Sequence, residues 1–140
     1  VGDGYLKEKL EELIRKYKLT RRVDVYGFVN NPYPILNNSK ILVITSKREG
    51  TPMVALEAQA LGKPIVSTPI DGIKKIVKDG YNGFLCNTNN GFIKTINSLL
   101  DERYYQKIKE NVNKNFKTIN NEEEYIKIIK DCYKWFIRKE

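Results

Sequence analysis

Histidine is absent from the 140 residues, which excludes a histidine general base and a histidine metal site within them. Cysteine is scarce: Cys86 and Cys132 stand far apart in apolar surroundings, without the paired spacing of a metal site. They read as buried thiols of a reducing compartment. No apolar run approaches the roughly 18 residues of a membrane span. No signal-peptide pattern opens the chain, and no internal repeat or low-complexity linker interrupts it. It starts at Val1, and Val1-Gly2-Asp3-Gly4 reads as the end of a strand entering a turn. The expectation is therefore a piece excised from a longer protein.

What is present bounds the class. A chain of 140 residues, 41% hydrophobic and 30% charged, can bury one proper core, so one domain over 1–140 is expected. The net charge of +8 is carried mostly by lysine and admits nucleic acid, a membrane surface or a small anion as partner. The basic residues are dispersed with glutamates between them, as in Lys7-Glu8-Lys9 and Lys107-Ile108-Lys109-Glu110. They form no arginine block and do not alternate with aromatics as single-strand binders do. Solvated helix faces come first, attraction to anionic lipid second, and no nucleic-acid partner is expected.

The chain is organised around residues 48–64. An apolar run, residues 41–45, predicts a buried strand, and residues 64–67 predict another. Between them a helix is written in its ends. Thr51 suits the N-cap and Pro52 the first helical position, where its missing N–H costs nothing. Gly62 suits the left-handed residue that closes a helix, and Pro64 stops it. The body, residues 53–61, is apolar on nearly every side and predicts a helix buried in an α/β core. Glu57 interrupts it, one turn after Met53 on the same face, and a carboxylate there needs a partner or a ligand. The free N–H groups of Met53 and Val54, with the positive dipole end, form a ready anion site that Gly50 lets a ligand approach. Glu49 would repel a bare phosphate and suits the hydroxyls of a neutral group attached to one. Taken singly, Glu49 also reads as a solvated loop charge and Glu57 as the partner of a structural Lys or Arg. A capping box is excluded, because Val54 follows Thr51 by three.

Glu49-Gly50-x-Pro52, then Glu57-Ala58, then Gly62-x-Pro64 resembles the signature of retaining, nucleotide-sugar-dependent glycosyltransferases of the GT-B fold, in which two glutamates have seven residues between them, as Glu49 and Glu57 do. The resemblance covers nearly the whole chain but under half of such an enzyme. It implies a donor-binding domain lacking its first strand, the N-terminal acceptor domain, and an upstream Arg and Lys that clamp the diphosphate. It implies that Glu57 accepts the ribose hydroxyls, the Met53 and Val54 amides hold the diphosphate, and Glu49, the candidate catalytic residue, orients the transferred sugar without acting as nucleophile. A Gly-x-Gly turn, here Gly2 and Gly4, would face sugar and diphosphate, and Val29 and Asn31 would fall around the base. With Gly50, Thr51 and Pro52 these complete the candidate donor site. No Asp-x-Asp metal motif is present, so metal-independent transfer with no separate cofactor is implied. Many relatives carry Gly-Gly-x-x-Glu where this chain has Asp71-Gly72-Ile73-Lys74-Lys75, so Lys75 stands in place of an acid. A glycan or lipid acceptor, polysaccharide biosynthesis and a cytoplasmic setting at the inner face of the membrane complete the implied picture. Rival readings are a non-catalytic nucleotide-binding module of the same fold and a nucleotide-sugar epimerase.

Around the centre, the spacing predicts a helix from after Gly4 to about Leu19, a strand over residues 23–26 and a short helix over 33–38. Downstream it predicts a helix over 73–78, a short strand over 81–86 entered by an Asn-Gly turn, and helices over 91–100, capped by Asn90, over 101–116 and over 122–138. Alternating strand and helix imply an α/β, Rossmann-like, mostly parallel sheet with helices on both faces. Gly2, Val29, Glu49 and Gly72 would lie at the carboxyl ends of its strands. The 140 residues alone are expected to bind nucleotide weakly and to transfer no sugar; detectable transfer in a radiolabelled-donor assay would contradict this.

Overall fold

Three apolar triplets build the sheet. Leu42–Ile44 (β1), Ile65–Ser67 (β2) and Gly83–Leu85 (β3) pair in parallel in the order β1-β2-β3, with Leu42 opposite Ile65 and Ile65 opposite Gly83. The computed structural model describes residues 1–48, 50 and 52–119. They fall into two units, Val1–Asn38 and a second that begins at Ser39.

In the first unit, Lys7–Lys16 (α1) and Tyr33–Asn38 (α2) are helical, close to the predicted spans. Lys18, at φ 55, ends the first helix, and the Leu19 N–H closes it on the Ile14 carbonyl at 2.8 Å. Of the stripe Leu6, Leu10, Leu13, Ile14 and Tyr17, only Ile14 is buried. The strand expected over residues 23–26 does not form. A strand exists through its ladder to a neighbour, and here the Val23 N–H goes to the Leu19 carbonyl at 3.0 Å, closing a turn instead.

In the second unit, parallel pairing demands helical crossovers and burial on both faces. Met53–Ala60 (α3) joins β1 to β2, and Asp71–Lys74 (α4) lies between β2 and β3. Asn89–Ser98 (α5) and Glu102–Ile119 (α6) follow, so helices flank the sheet. Ile65, Val66 and Ser67 of the central strand are wholly buried. Val66 packs with Cys86, Leu99, Tyr105 and Ile108, and Phe84, Phe92 and Tyr104 lie against that cluster. Each such apolar side chain contributes about 1.5–3 kcal/mol by leaving water. Cys86 is a buried free thiol, as expected; Cys132 and the helix expected over 122–138 lie outside the described residues.

Several boundaries move for local reasons. The helix expected over 73–78 starts at Asp71 and ends at Lys74. Asp71 in its first turn suits the dipole, and the Lys78 N–H is taken by the Asn82 side chain at 2.7 Å rather than by a helical carbonyl. The turn into β3 is centred earlier than Asn82-Gly83. Gly80, at φ 72, sends its N–H to the Gly83 carbonyl at 2.9 Å, and Gly83 is already in the strand. Thr88, not Asn90, caps α5: its backbone is extended and its Oγ1 accepts the Gly91 N–H at 3.1 Å. Asp101 does the same for α6, accepting the Tyr104 N–H at 2.8 Å.

A buried amide pair ties α3 to the entry of β3. Asn82 Nδ2 donates to Gln59 Oε1 at 2.9 Å and to the Ile76 carbonyl at 3.1 Å. In return Gln59 Nε2 donates to the Asn82 carbonyl at 3.3 Å. Asn82→Ala takes the side-chain partner from Gln59 Oε1, the Ile76 carbonyl and the Lys78 N–H and is expected to cost about 2–4 kcal/mol, read from urea unfolding. A loss within about 0.5 kcal/mol, as at an ordinary surface position, would refute that role.

A second tie holds the start of α6 to the segment before β1. Lys40 Nζ lies 2.7 Å from Glu102 and 4.6 Å from the Tyr105 ring centre, and the Tyr105 hydroxyl donates to the Lys40 carbonyl at 3.1 Å. Burial pushes the Tyr105 phenol up, against the pull of Lys40. The Lys40 hydrogen bond, then that of Gln106, holds the Glu102 carboxyl below its ordinary value. A carboxylate lowered on folding stabilises the fold above its unfolded pKa and loses that contribution as pH falls through the folded value. Glu102→Gln is therefore expected to lower Tm slightly at neutral pH and to match wild type at a pH below the folded value of Glu102. An equal deficit at both pH values would show that the contribution does not titrate.

Candidate functional site

In open parallel sheets, ligands sit beyond the carboxyl ends of the strands. In the second unit two loops meet there, one leaving β1 towards α3 and one leaving β2 towards α4. Glu49 and Thr51 lie outside the described residues. Pro52 is buried and extended, at φ −70 and ψ 114, and stands at the N-cap rather than at the first helical position. Its carbonyl accepts the Ala55 N–H at 3.0 Å, and among the described residues no side chain caps the helix. The first-turn N–H groups of Met53 and Val54 have no intrahelical acceptor, so the positive end of α3 is directed at this loop.

The helix is buried on one side only. Ala55, Leu56, Ala58 and Gln59 turn inward, whereas Met53 and Val54 are 38% and 37% exposed. The expectation of an all-round buried helix is thus corrected: Met53, Glu57 and Ala60 share the outer face, and Glu57 is half-buried. Its retention there needs no ligand to offset desolvation. What singles it out is its place, one turn behind the helix start and on the Met53 face. The far end follows expectation. Gly62, at φ 67, closes the helix, with the Lys63 N–H on the Ala58 carbonyl at 2.8 Å.

The two loops are in direct contact. A Cβ placed on Gly72 would coincide with the carbonyl oxygen of Gly50 and lie 3.2 Å from Pro52 Cδ. The Thr68 hydroxyl donates to the Ser46 carbonyl, and the Thr68 N–H to the Ile44 carbonyl at 3.1 Å. Gly50, Pro52 and the start of α3 are thereby held against the segment from Thr68 to Gly72. The sequence singled out Gly72 as a strand-end position but missed Thr68, whose only signal was a hydroxyl one residue beyond an apolar strand. Lys75 is exposed, and Lys74 pairs with Asp71 at 3.1 Å.

The first unit brings its own candidates together. The Gly2 N–H donates to the Gly27 carbonyl at 2.7 Å, which sets the Gly2-Asp3-Gly4 turn beside the loop from Gly27 to Asn31. Gly4 receives the Lys7 N–H on its carbonyl at 3.1 Å and donates its own N–H to Asp3 Oδ1 at 2.9 Å. Val29 is half-buried, and the exposed Asn31 accepts the Tyr33 N–H on Oδ1 at 3.2 Å, serving the start of α2. Among the described residues no group of three or more His, Cys, Asp or Glu could hold a metal ion, and no helix is long and apolar enough to cross a membrane.

A parallel α/β sheet flanked by helices is Rossmann-like and consistent with half of a GT-B fold. The chain belongs to the glycosyl transferases group 1 family, whose description matches residues 1–118. It is 36% identical over 92 residues to an uncharacterized glycosyltransferase of Methanocaldococcus jannaschii, covering 64% of this chain and 26% of that protein. Over 136 residues, 95% of the chain and 35% of the relative, it is 30% identical to the UDP-Gal:alpha-D-GlcNAc-diphosphoundecaprenol alpha-1,3-galactosyltransferase of Escherichia coli. Among solved structures it is similar to Anabaena HepE in complex with UDP and glucose, at 26% identity and a TM-score of 0.71, over 79% of this chain and 33% of that one. HepE is also known in complex with UDP-glucose. The chain thus spans about a quarter to a third of the length of these relatives.

Proposed function

We propose that residues 1–140 form the donor-binding part of a glycosyltransferase that moves a sugar from a nucleoside-diphosphate sugar to a glycan or lipid-linked acceptor. The observation that carries this reading is the start of α3 at the carboxyl edge of β1, with Glu57 one turn behind it on the Met53 face. Membership of the family supports it, as do the UDP and UDP-glucose complexes of the similar HepE. The acceptor class draws on the diphosphoundecaprenol substrate named for the Escherichia coli relative. That substrate also supports a setting at the inner face of the cell membrane.

In this reading the Met53 and Val54 amides and the dipole of α3 bind the diphosphate. They stabilise the charge that builds on it as the sugar–phosphate bond breaks. Backbone donors fixed in place need no reorganisation at that moment, which is where such stabilisation acts most strongly. Glu57 accepts hydrogen bonds from the ribose hydroxyls and fixes the register of the nucleotide along the helix. Glu49 orients the transferred sugar through its hydroxyls. Gly2 and Gly4 face sugar and diphosphate, and Val29 and Asn31 border the base. Retention of anomeric configuration and independence from metal are part of the proposal, on the strength of the two-glutamate spacing and the lack of an Asp-x-Asp pair. The nucleotide sugar is then a co-substrate, and no separate cofactor is required.

Titration of nucleoside diphosphates by calorimetry checks the assignment of Glu57. Glu57→Ala is expected to weaken UDP binding by about 1–3 kcal/mol, roughly 5- to 150-fold, through loss of hydrogen bonds to a charged acceptor. Unchanged affinity would remove Glu57 from the site.

A further inference from the structure

We infer that Thr68 and Gly72 are positioning residues: together they set the height and direction of the loop that presents Gly50 and the free end of α3. The inference rests on the donor-site reading above and names two residues that touch no ligand in it.

The argument begins with what the loop lacks. Between Ile44 and Met53 the described residues form no regular structure, and none of their side chains caps α3. The described ties of this loop run to the segment after β2. At its start, the Ile44 and Ser46 carbonyls accept from the Thr68 N–H and the Thr68 hydroxyl. Towards its end, the Gly50 carbonyl rests where a side chain on residue 72 would stand, with Pro52 Cδ beside it. Gly72 is buried, and Thr68 and Ser46 are half-buried. The first contact holds the loop in; the second sets how closely it can approach. A hydrogen bond and a steric floor at opposite ends determine a loop's position better than either alone.

The consequence is directional. A side chain at residue 72 would push the Gly50 carbonyl and Pro52 outward and swing the first-turn amides away from any bound diphosphate. Loss of the Thr68 hydroxyl would remove this tie to the Ser46 carbonyl and loosen the start of the loop. Positioned amides lose their use when displaced by about 1 Å, because donors act over hydrogen-bond distances.

Hydrogen exchange across residues 45–56, read together with UDP titration on the same chain, tests this. Thr68→Val keeps the shape and removes the hydroxyl. It is expected to speed exchange in that segment about five- to tenfold and to weaken UDP binding by a similar factor, with α6 unchanged. Thr68→Ser restores the hydroxyl and is expected to restore both. Gly72→Ala should act in the same direction as Thr68→Val; should it fail to fold, the two Thr68 variants carry the test. Unchanged exchange in Thr68→Val, or the same change in Thr68→Ser, overturns the inference. A wild-type chain that binds no UDP while exchange responds as expected would sustain the positioning role and refute the donor reading. Weakened UDP binding with unaltered exchange would do the reverse.

Discussion

The reciprocal amide pair between Gln59 and Asn82 is the constraint on which the second unit turns. Both side chains are buried, Asn82 completely and Gln59 to within 3%. An unpaired amide at such depth costs several kcal/mol, so either residue alone would be a liability. Together, with the Ile76 carbonyl and the Lys78 N–H, they satisfy one another and fix the roll of α3 relative to the entry of β3. Apolar packing around Leu56 and Ala58 tolerates small rotations; this geometry does not. The outward placement of Met53 and Glu57 follows from it.

With the roll of α3 set, its axis and starting point remain, and these belong to the loops. Contact between Gly50 and Gly72 makes the two strand-end loops one object. The helix start is thereby held through backbone at Gly50 and Gly72. The first-turn N–H groups have no intrahelical acceptor, which is costly for a helix as a local structure and useful to a protein that binds an anion.

Much of this was legible in the residues. Short β-rich runs separated by helices sufficed for a parallel α/β sheet, and Gly62 and Pro64 marked the end of α3 correctly. The spacing of Glu49, Glu57 and the flanking glycines and prolines pointed to the family. Misreadings arose where a group three or four residues away captured a backbone N–H. Beyond the helix of Asp71–Lys74 the Ile76 and Val77 N–H groups share the Ile73 carbonyl and Asn82 takes the Lys78 N–H, and Thr88 rather than Asn90 took the cap of α5. Residues 23–26 had the composition of a strand, but the Leu19 carbonyl claimed the Val23 N–H that a ladder would need. The depth assigned to Glu57 was also too great. An apolar helix of eight residues has too short a period pattern to reveal which side is covered.

By itself, then, the order of residues determined which segments could be strand or helix, where the principal helix stops and which family the chain resembles. These properties depend on near neighbours: conformational preference, spacing and the chemistry of turns. Tertiary structure alone decided that Gln59 and Asn82 share a buried network, that Thr68 holds the Ser46 carbonyl, and that Gly72 leaves room for Gly50. Each joins residues some twenty positions apart. No local preference encodes such a meeting, because its energy exists only once the sheet has brought the two loops to the same edge.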